Sequence, residues 1–217
     1  MYAHKLHKEI LDEHRAKIFL LLRKFRSVGY LAGGTALALQ LGHRYSYDFD
    51  IFCDREISNK LLRTCKEVFQ MKQVLVQSVD EFSFLTSDNI KLTFLYYPFS
   101  FPGKSVATES LPMLSIANIA ASKAYALNRR GTYRDYVDLY CILQDHMSLK
   151  SVMNRAVKIY GALFTPKLFL GQLVYMDDLT ASDIHSVRTI GPRIPKDKLK
   201  RFFQQQVRSF QKEIYKK

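Results

Sequence analysis

Apolar residues recur at helical spacing near the start of the chain, at Leu6, Ile10 and Leu11, then at Ile18, Phe19, Leu21, Leu22 and Phe25. This predicts one long helix or two short ones over residues 3–27. The period then shortens. Residues 30–32 read as a short strand closed by Gly33-Gly34, Thr35 stands where it can cap a helix over 36–41, and Gly42 ends that helix. Residues 47–53 alternate apolar and polar and predict a second strand. A helix suits 57–70. Strands suit 74–79, 82–86 and 91–96, with turns at Asp80-Glu81 and Ser87-Asp88-Asn89. From Ser115 the period is helical again, with helices expected near 115–130, 134–146, 148–160, 166–177 and 196–215. The result is an α+β chain whose front half carries a short-stranded sheet and whose back half is helical. The Pro- and Gly-containing stretch 98–112 suggests a boundary, dividing the chain into an α/β core over 1–110 and a helical subdomain over 111–217.

Composition narrows the class. A chain of 217 residues is long enough to bury a core without staples. Cys53, Cys65 and Cys141 form no CxxC pair, which argues for a reduced intracellular protein without a zinc site. The polar N-terminus lacks the apolar core of a signal peptide, and no apolar run reaches the ~20 residues of a membrane span. A cytoplasmic protein without membrane contact is expected. The formal charge of +13 predicts attraction to polyanions such as RNA, DNA or nucleotides, although a basic surface is also simply a soluble one.

Candidate chemistry concentrates between Tyr30 and Phe52. A strand ends in Gly33-Gly34, whose lack of Cβ lets backbone approach a ligand closely. The N–H groups opening the next helix form a seat for an anion. Asp48-Phe49-Asp50 follows on a strand, where residues two apart share a face, so the two carboxylates stand together. Two adjacent carboxylates call for a proton or a cation between them. Magnesium suits, because it takes one or two carboxylates and completes its shell from phosphates. A phosphate seat and a metal seat thus arise within 18 residues. Each motif alone is weak, and a turn with surface acids at a strand end is the plain alternative. Their conjunction in this order is much stronger.

These residues carry a resemblance. Gly33-Gly34-Thr35, His43-Arg44, Ser46 and Asp48-Phe49-Asp50 resemble the opening motif of the polymerase-β-like nucleotidyltransferases, and more narrowly the AbiEii/AbiGii-type toxin nucleotidyltransferases. The likeness continues at Ala120-Ala121-Ser122-Lys123 and from Arg130 through Asp135 to Asp138, covering roughly residues 30–180. It implies a polymerase-β-like core with a small mixed sheet flanked by helices, and a C-terminal helical subdomain completing the active-site cleft. It implies transfer of a nucleoside monophosphate from a nucleoside triphosphate to an acceptor, either RNA such as tRNA or a protein, by the toxin of a toxin–antitoxin or phage-defence system with a cognate antitoxin. Asp48 and Asp50 would hold Mg2+ and act catalytically with Asp135. Gly33, Gly34, Thr35, Arg44 and Lys123 would bind the nucleotide and its phosphates.

Structural duties compete with these roles. Lys123 suits a snorkelling surface residue, with Arg130 two turns on along the same helix face. Asp135 and Asp138 suit the first turn of a helix through its dipole. The basic final segment, from Lys196 to Lys217, either contacts a phosphate backbone or packs through Leu199, Phe202, Phe203, Val207 and Phe210 as an amphipathic helix. One departure stands out. Relatives place a third carboxylate on a neighbouring strand, and the matching position here is Thr93, whose hydroxyl supplies no charge. That weighs against two-metal chemistry and leaves a second reading open, a degenerate fold that binds nucleotide or RNA without turnover.

Overall fold

The computed structural model describes residues 6–215. The chain divides into two compact units, Met1–Ser115 and Ile116–Lys217.

The first unit begins with a 3-10 turn, Lys8–Ile10, and helix α1, Glu13–Leu21, which tightens into a second 3-10 turn, Leu22–Phe25. The N-terminal apolar period therefore yields two short pieces, and residues 3–5 of the expected helix lie outside the described residues. Asp12 starts α1 by accepting from the Arg15 amide. Strand β1 (Gly29–Ala32), helix α2 (Gly33–Leu41), strand β2 (Phe49–Cys53) and helix α3 (Asn59–Val68) follow. Strands β3 (Met71–Gln77), β4 (Glu81–Thr86) and β5 (Lys91–Tyr96) complete the unit. The sheet order is β1-β2-β5-β4-β3, with β2 and β5 parallel and the other pairs antiparallel. This is a small mixed sheet flanked by helices, as expected.

Side-chain alternation sorts the sheet into two faces. Phe49 and Ile51 on β2, Leu92 and Phe94 on β5, and Phe82 and Phe84 on β4 are fully buried. Phe25 lies on this face, 5.1 Å from Phe94 and stacked at 5.7 Å on Phe69, which in turn meets Phe84 at 5.7 Å. Each such ring contributes about 1.5–3 kcal/mol by leaving water. The opposite face carries Asp50. Register sets Asp50 beside Ala32 on β1 and Thr93 on β5, and Thr93 beside Ser83 on β4.

Two local expectations change. Helix α2 begins at Gly33, so Thr35 lies inside its first turn rather than capping it. Gly42 does end α2, in the left-handed conformation at φ 63. Strand β3 begins at Met71, earlier than its valines suggested, because pairing with β4 extends it.

The second unit is helical: α4 (Ile116–Leu127), α5 (Tyr133–Asp145), α6 (Leu149–Tyr160), α7 (Pro166–Val174), α8 (Ala181–His185) and α9 (Lys196–Tyr215). Alpha8 has only five residues, too short for a period to show, and sequence reading missed it. Helix α4 stops before Arg130, so Arg130 does not share a helix face with Lys123. Leu199, Phe203 and Val207 of α9 are buried one turn apart, and its rings meet Tyr136 and Tyr140 of α5. Arg201, Arg208 and Lys212 stay exposed, while Lys216 and Lys217 lie outside the described residues. No helix among the described residues is long and apolar enough to cross a membrane.

Candidate active site

The site starts where β1 turns into α2. Gly33 has φ +65, in the left-handed region that disfavours side chains. A Cβ there would lie 2.6 Å from Asp50 Oδ2, and a Cβ on Gly34 would lie 2.3 Å from Arg44 Nη2. The two glycines therefore do more than bend the chain. They let a carboxylate and a guanidinium pack directly against the start of a helix. Arg44 is buried and donates to the Tyr45 carbonyl at 3.0 Å, which holds its side chain under the turn.

Thr35 is also buried. Its hydroxyl lies 2.8 Å from the Ser46 hydroxyl and donates to the main-chain carbonyl of Asp48. This clasp ties the first turn of α2 to the approach to β2, fixing the backbone that presents Asp48. Thr35, expected from the resemblance among the phosphate-binding residues, here braces the acidic segment through its hydroxyl. Asp48 precedes β2 by one residue and Asp50 is its second residue, both half-buried at the strand's entry.

Thr93 stands directly across from Asp50, where relatives were expected to place an acid. Among the described residues its hydroxyl is buried without a hydrogen-bond partner, and so is that of Ser83 next in the row. An unsatisfied buried hydroxyl costs about 1–3 kcal/mol, so the row that carries Asp50 is held at some cost to stability. Among the described residues no group of three His, Cys, Asp or Glu could hold a metal. Asp48 and Asp50 are the two carboxylates that the entry to β2 brings to this turn.

Lys123 and Asp135 sit in the second unit. The Lys123 ammonium on α4 is 2.9 Å from Asp135 Oδ1 and 2.7 Å from Asp138 Oδ2 on α5, and all three side chains are largely buried. Asp135 Oδ2 further accepts from the Thr132 amide at 3.1 Å and the Thr132 hydroxyl at 2.7 Å, a capping box opening α5. The spacing of Asp135 and Asp138 signalled a shared face, but not that Lys123 would pair with both.

A glycine turn against a carboxylate, a buried arginine and a second acid thus stand on a small mixed sheet, in a chain that continues into helices. Comparison with known proteins places this fold among the nucleotidyltransferase toxins. The family model for the nucleotidyl transferase AbiEii toxin, of a Type IV TA system, matches residues 20–177. The uncharacterized protein aq_aa25 of Aquifex aeolicus (strain VF5) is 32% identical over 154 residues, covering 69% of this chain and 74% of that protein. Among solved structures, MenT4, the nucleotidyltransferase toxin Rv2826c from Mycobacterium tuberculosis H37Rv, superposes with a TM-score of 0.63 at 15% identity, covering 88% of this chain and 80% of that one. JHP933 from Helicobacter pylori does so with a TM-score of 0.54 at 18% identity, covering 97% of both chains. The chain belongs to the AbiEii nucleotidyltransferase toxin family.

Proposed function

We propose that the protein transfers a nucleoside monophosphate from a nucleoside triphosphate to an acceptor hydroxyl on RNA, such as tRNA, or on protein. It would act in the cytoplasm as a toxin held in check by a cognate antitoxin. The observation that carries this reading is the carboxylate of Asp50 packed against Gly33 at the first turn of α2. That contact puts an acid beside the N–H groups that favour phosphate oxygens.

In this reading Asp48 and Asp50 hold magnesium, which when bound supplies positive charge to the triphosphate oxygens. Gly33 and Gly34 present main-chain N–H groups to the outer phosphates. Arg44, held under Gly34, adds a fixed cation behind that turn. Thr35 keeps the backbone of Asp48 in place. The acceptor oxygen bonds to the α-phosphorus, the bond from that phosphorus to the bridging oxygen breaks, pyrophosphate leaves, and the hydroxyl proton passes to solvent. Catalysis is positioning and charge stabilisation. Thr93, beside Asp50 in register, brings no charge for a second metal.

The test is a transfer assay with magnesium, each labelled triphosphate separately, and total RNA or total protein as acceptor. Wild type should label one acceptor class, and Asp48→Asn should lose at least a hundredfold in rate while keeping its melting temperature. An Asp48→Asn variant with wild-type activity would refute the assignment. Thr93 favours one second reading, a fold that binds nucleotide without turnover. It predicts a melting temperature raised by triphosphate with no label transferred.

A further inference from the structure

Three side chains converge on the segment that leads into β2. Residues 45–48 lie in neither helix nor strand, so no regular ladder of main-chain bonds fixes them. Three of their carbonyls accept from side chains instead. Arg44 donates to the Tyr45 carbonyl at 3.0 Å, and Thr35 donates to the Asp48 carbonyl. Between them, Arg15 Nε donates to the Tyr47 carbonyl at 3.1 Å. That carbonyl belongs to the peptide group that carries the Asp48 nitrogen, so holding it sets the direction in which Asp48 leaves the chain. The Arg15 guanidinium also lies over the Tyr47 ring, 5.1 Å from its centroid. Arg44 and Thr35 belong to the site's own motif, whereas Arg15 comes from α1, 32 positions before Tyr47.

Helix α1 is built to deliver this side chain. Arg15 stands one helical turn before the buried Ile18 and Phe19 and so shares their inward face. Ser110 fixes the helix further by donating its hydroxyl to the Phe19 carbonyl. Asp12, which caps α1, pairs with Arg15 Nη1. This pair occupies one arm of the guanidinium fork, and Nε is the arm that reaches Tyr47. The Arg15 side chain is only 19% exposed. Lys17, by contrast, makes an exposed pair with Glu13 of the kind that contributes little.

We propose that Arg15 is a positioning residue for Asp48, gripping the peptide and the ring just before it so that the carboxylate is presented at a fixed angle. What Asp48 then does rests on the transfer reading above; the grip itself rests on the hydrogen bond and the ring contact. The two acids need different supports. Asp50 lies within β2, where pairing with Ala32 and Thr93 fixes its backbone. Asp48 lies one residue outside the strand and has only side chains to hold its approach. Arginine suits the task because its planar fork serves Asp12 and the Tyr47 carbonyl at once, which a lysine ammonium cannot do in the same geometry.

The test compares Arg15→Met and Arg15→Lys with wild type in the full-length protein, by amide hydrogen exchange and by transfer kinetics. In Arg15→Met, exchange should quicken by about tenfold in residues 44–49 and stay unchanged in α2 and β4. Its kcat should fall by about tenfold, with KM for the triphosphate within about twofold of wild type, because the glycine turn that seats the phosphates is untouched. Arg15→Lys keeps a charge beside Asp12. It should recover any melting temperature lost in Arg15→Met while leaving residues 44–49 loosened and kcat low. Wild-type exchange in residues 44–49 of Arg15→Met would overturn the proposal, and so would loosened exchange with a wild-type kcat. Full recovery of kcat by Arg15→Lys would overturn it too, reducing Arg15 to a partner of Asp12. A wild-type protein that transfers no label, with residues 44–49 loosened by Arg15→Met, would remove the transfer reading and uphold the grip on Asp48.

Discussion

Gly33 shows how a single atom controls this site. Its φ of +65 and the 2.6 Å gap between its virtual Cβ and Asp50 Oδ2 leave no place for alanine. Gly33→Ala should cost about 1–2 kcal/mol from the left-handed backbone. It should cost about a hundredfold in transfer rate, since a shift of an ångström at a reacting group has that effect. Urea unfolding and the transfer assay separate the two losses; a variant of normal stability and normal rate would mean that Asp50 does not need this contact. Lys123 poses a different question, because one ammonium faces two carboxylates in a buried setting. Lys123→Met removes the ammonium that two buried carboxylates share and should destabilise the protein by about 3–5 kcal/mol, read from the urea midpoint. Were the lysine a phosphate ligand instead, the same variant would keep its stability and raise KM for the triphosphate.

At the scale of elements, β3 is the anomaly. It lies at the edge of the sheet and, among the described residues, pairs only with β4. Val74, Leu75 and Val76 are 44%, 42% and 40% exposed, so both of its faces show apolar groups to solvent. An apolar edge strand of this kind invites pairing with another chain. Val76→Lys should raise the protein concentration at which light scattering first detects association, with a change in melting temperature of only a degree or two, since an exposed surface substitution moves stability by about 0.5 kcal/mol or less. An unchanged scattering onset would show that the edge is not the sticky element. The same valines explain why the strand was foreseen, and pairing with β4 explains why it starts earlier than they do.

For the whole molecule, burial of weakly acidic groups sets the alkaline limit. Burial raises the Cys53 thiol to about 12, with the Asp54 carboxylate adding to the shift, and burial also raises the Cys65 thiol and the Tyr136 and Tyr133 phenols. Each group keeps its proton longer in the folded state than in the unfolded chain. Their contribution is therefore complete below the ordinary thiol value near 9 and is lost as pH rises from there toward about 12. Urea midpoints should hold steady from pH 7 to 8.5 and fall progressively above 9. A midpoint flat to pH 11 would contradict this. By the same logic Cys53 and Cys65 should resist alkylation at pH 8 in the folded protein, while the partly exposed Cys141 reacts first.

Much of this was legible in the chain itself. Periods of two and of 3.6 marked the strands and the long helices, because burial on one face writes itself into the order of residues. Gly33-Gly34 and Asp48-Phe49-Asp50 marked a candidate site, because bare backbone and two acids of one strand face follow each other within 18 residues. The expectation of a small mixed sheet followed by helices, and of this nucleotidyltransferase toxin family, came from those same residues. Only the fold decided which contacts form across distance. It set Thr93 and Ser83 in line with Asp50, turned Thr35 from a helix cap into a clasp on Asp48, paired Lys123 with two acids on another helix, and brought Arg15 of α1 to the Tyr47 carbonyl. Local order governs what a residue can become, since periodicity and propensity act over a few neighbours. Register and packing join residues tens of positions apart, and no short-range pattern carries that information.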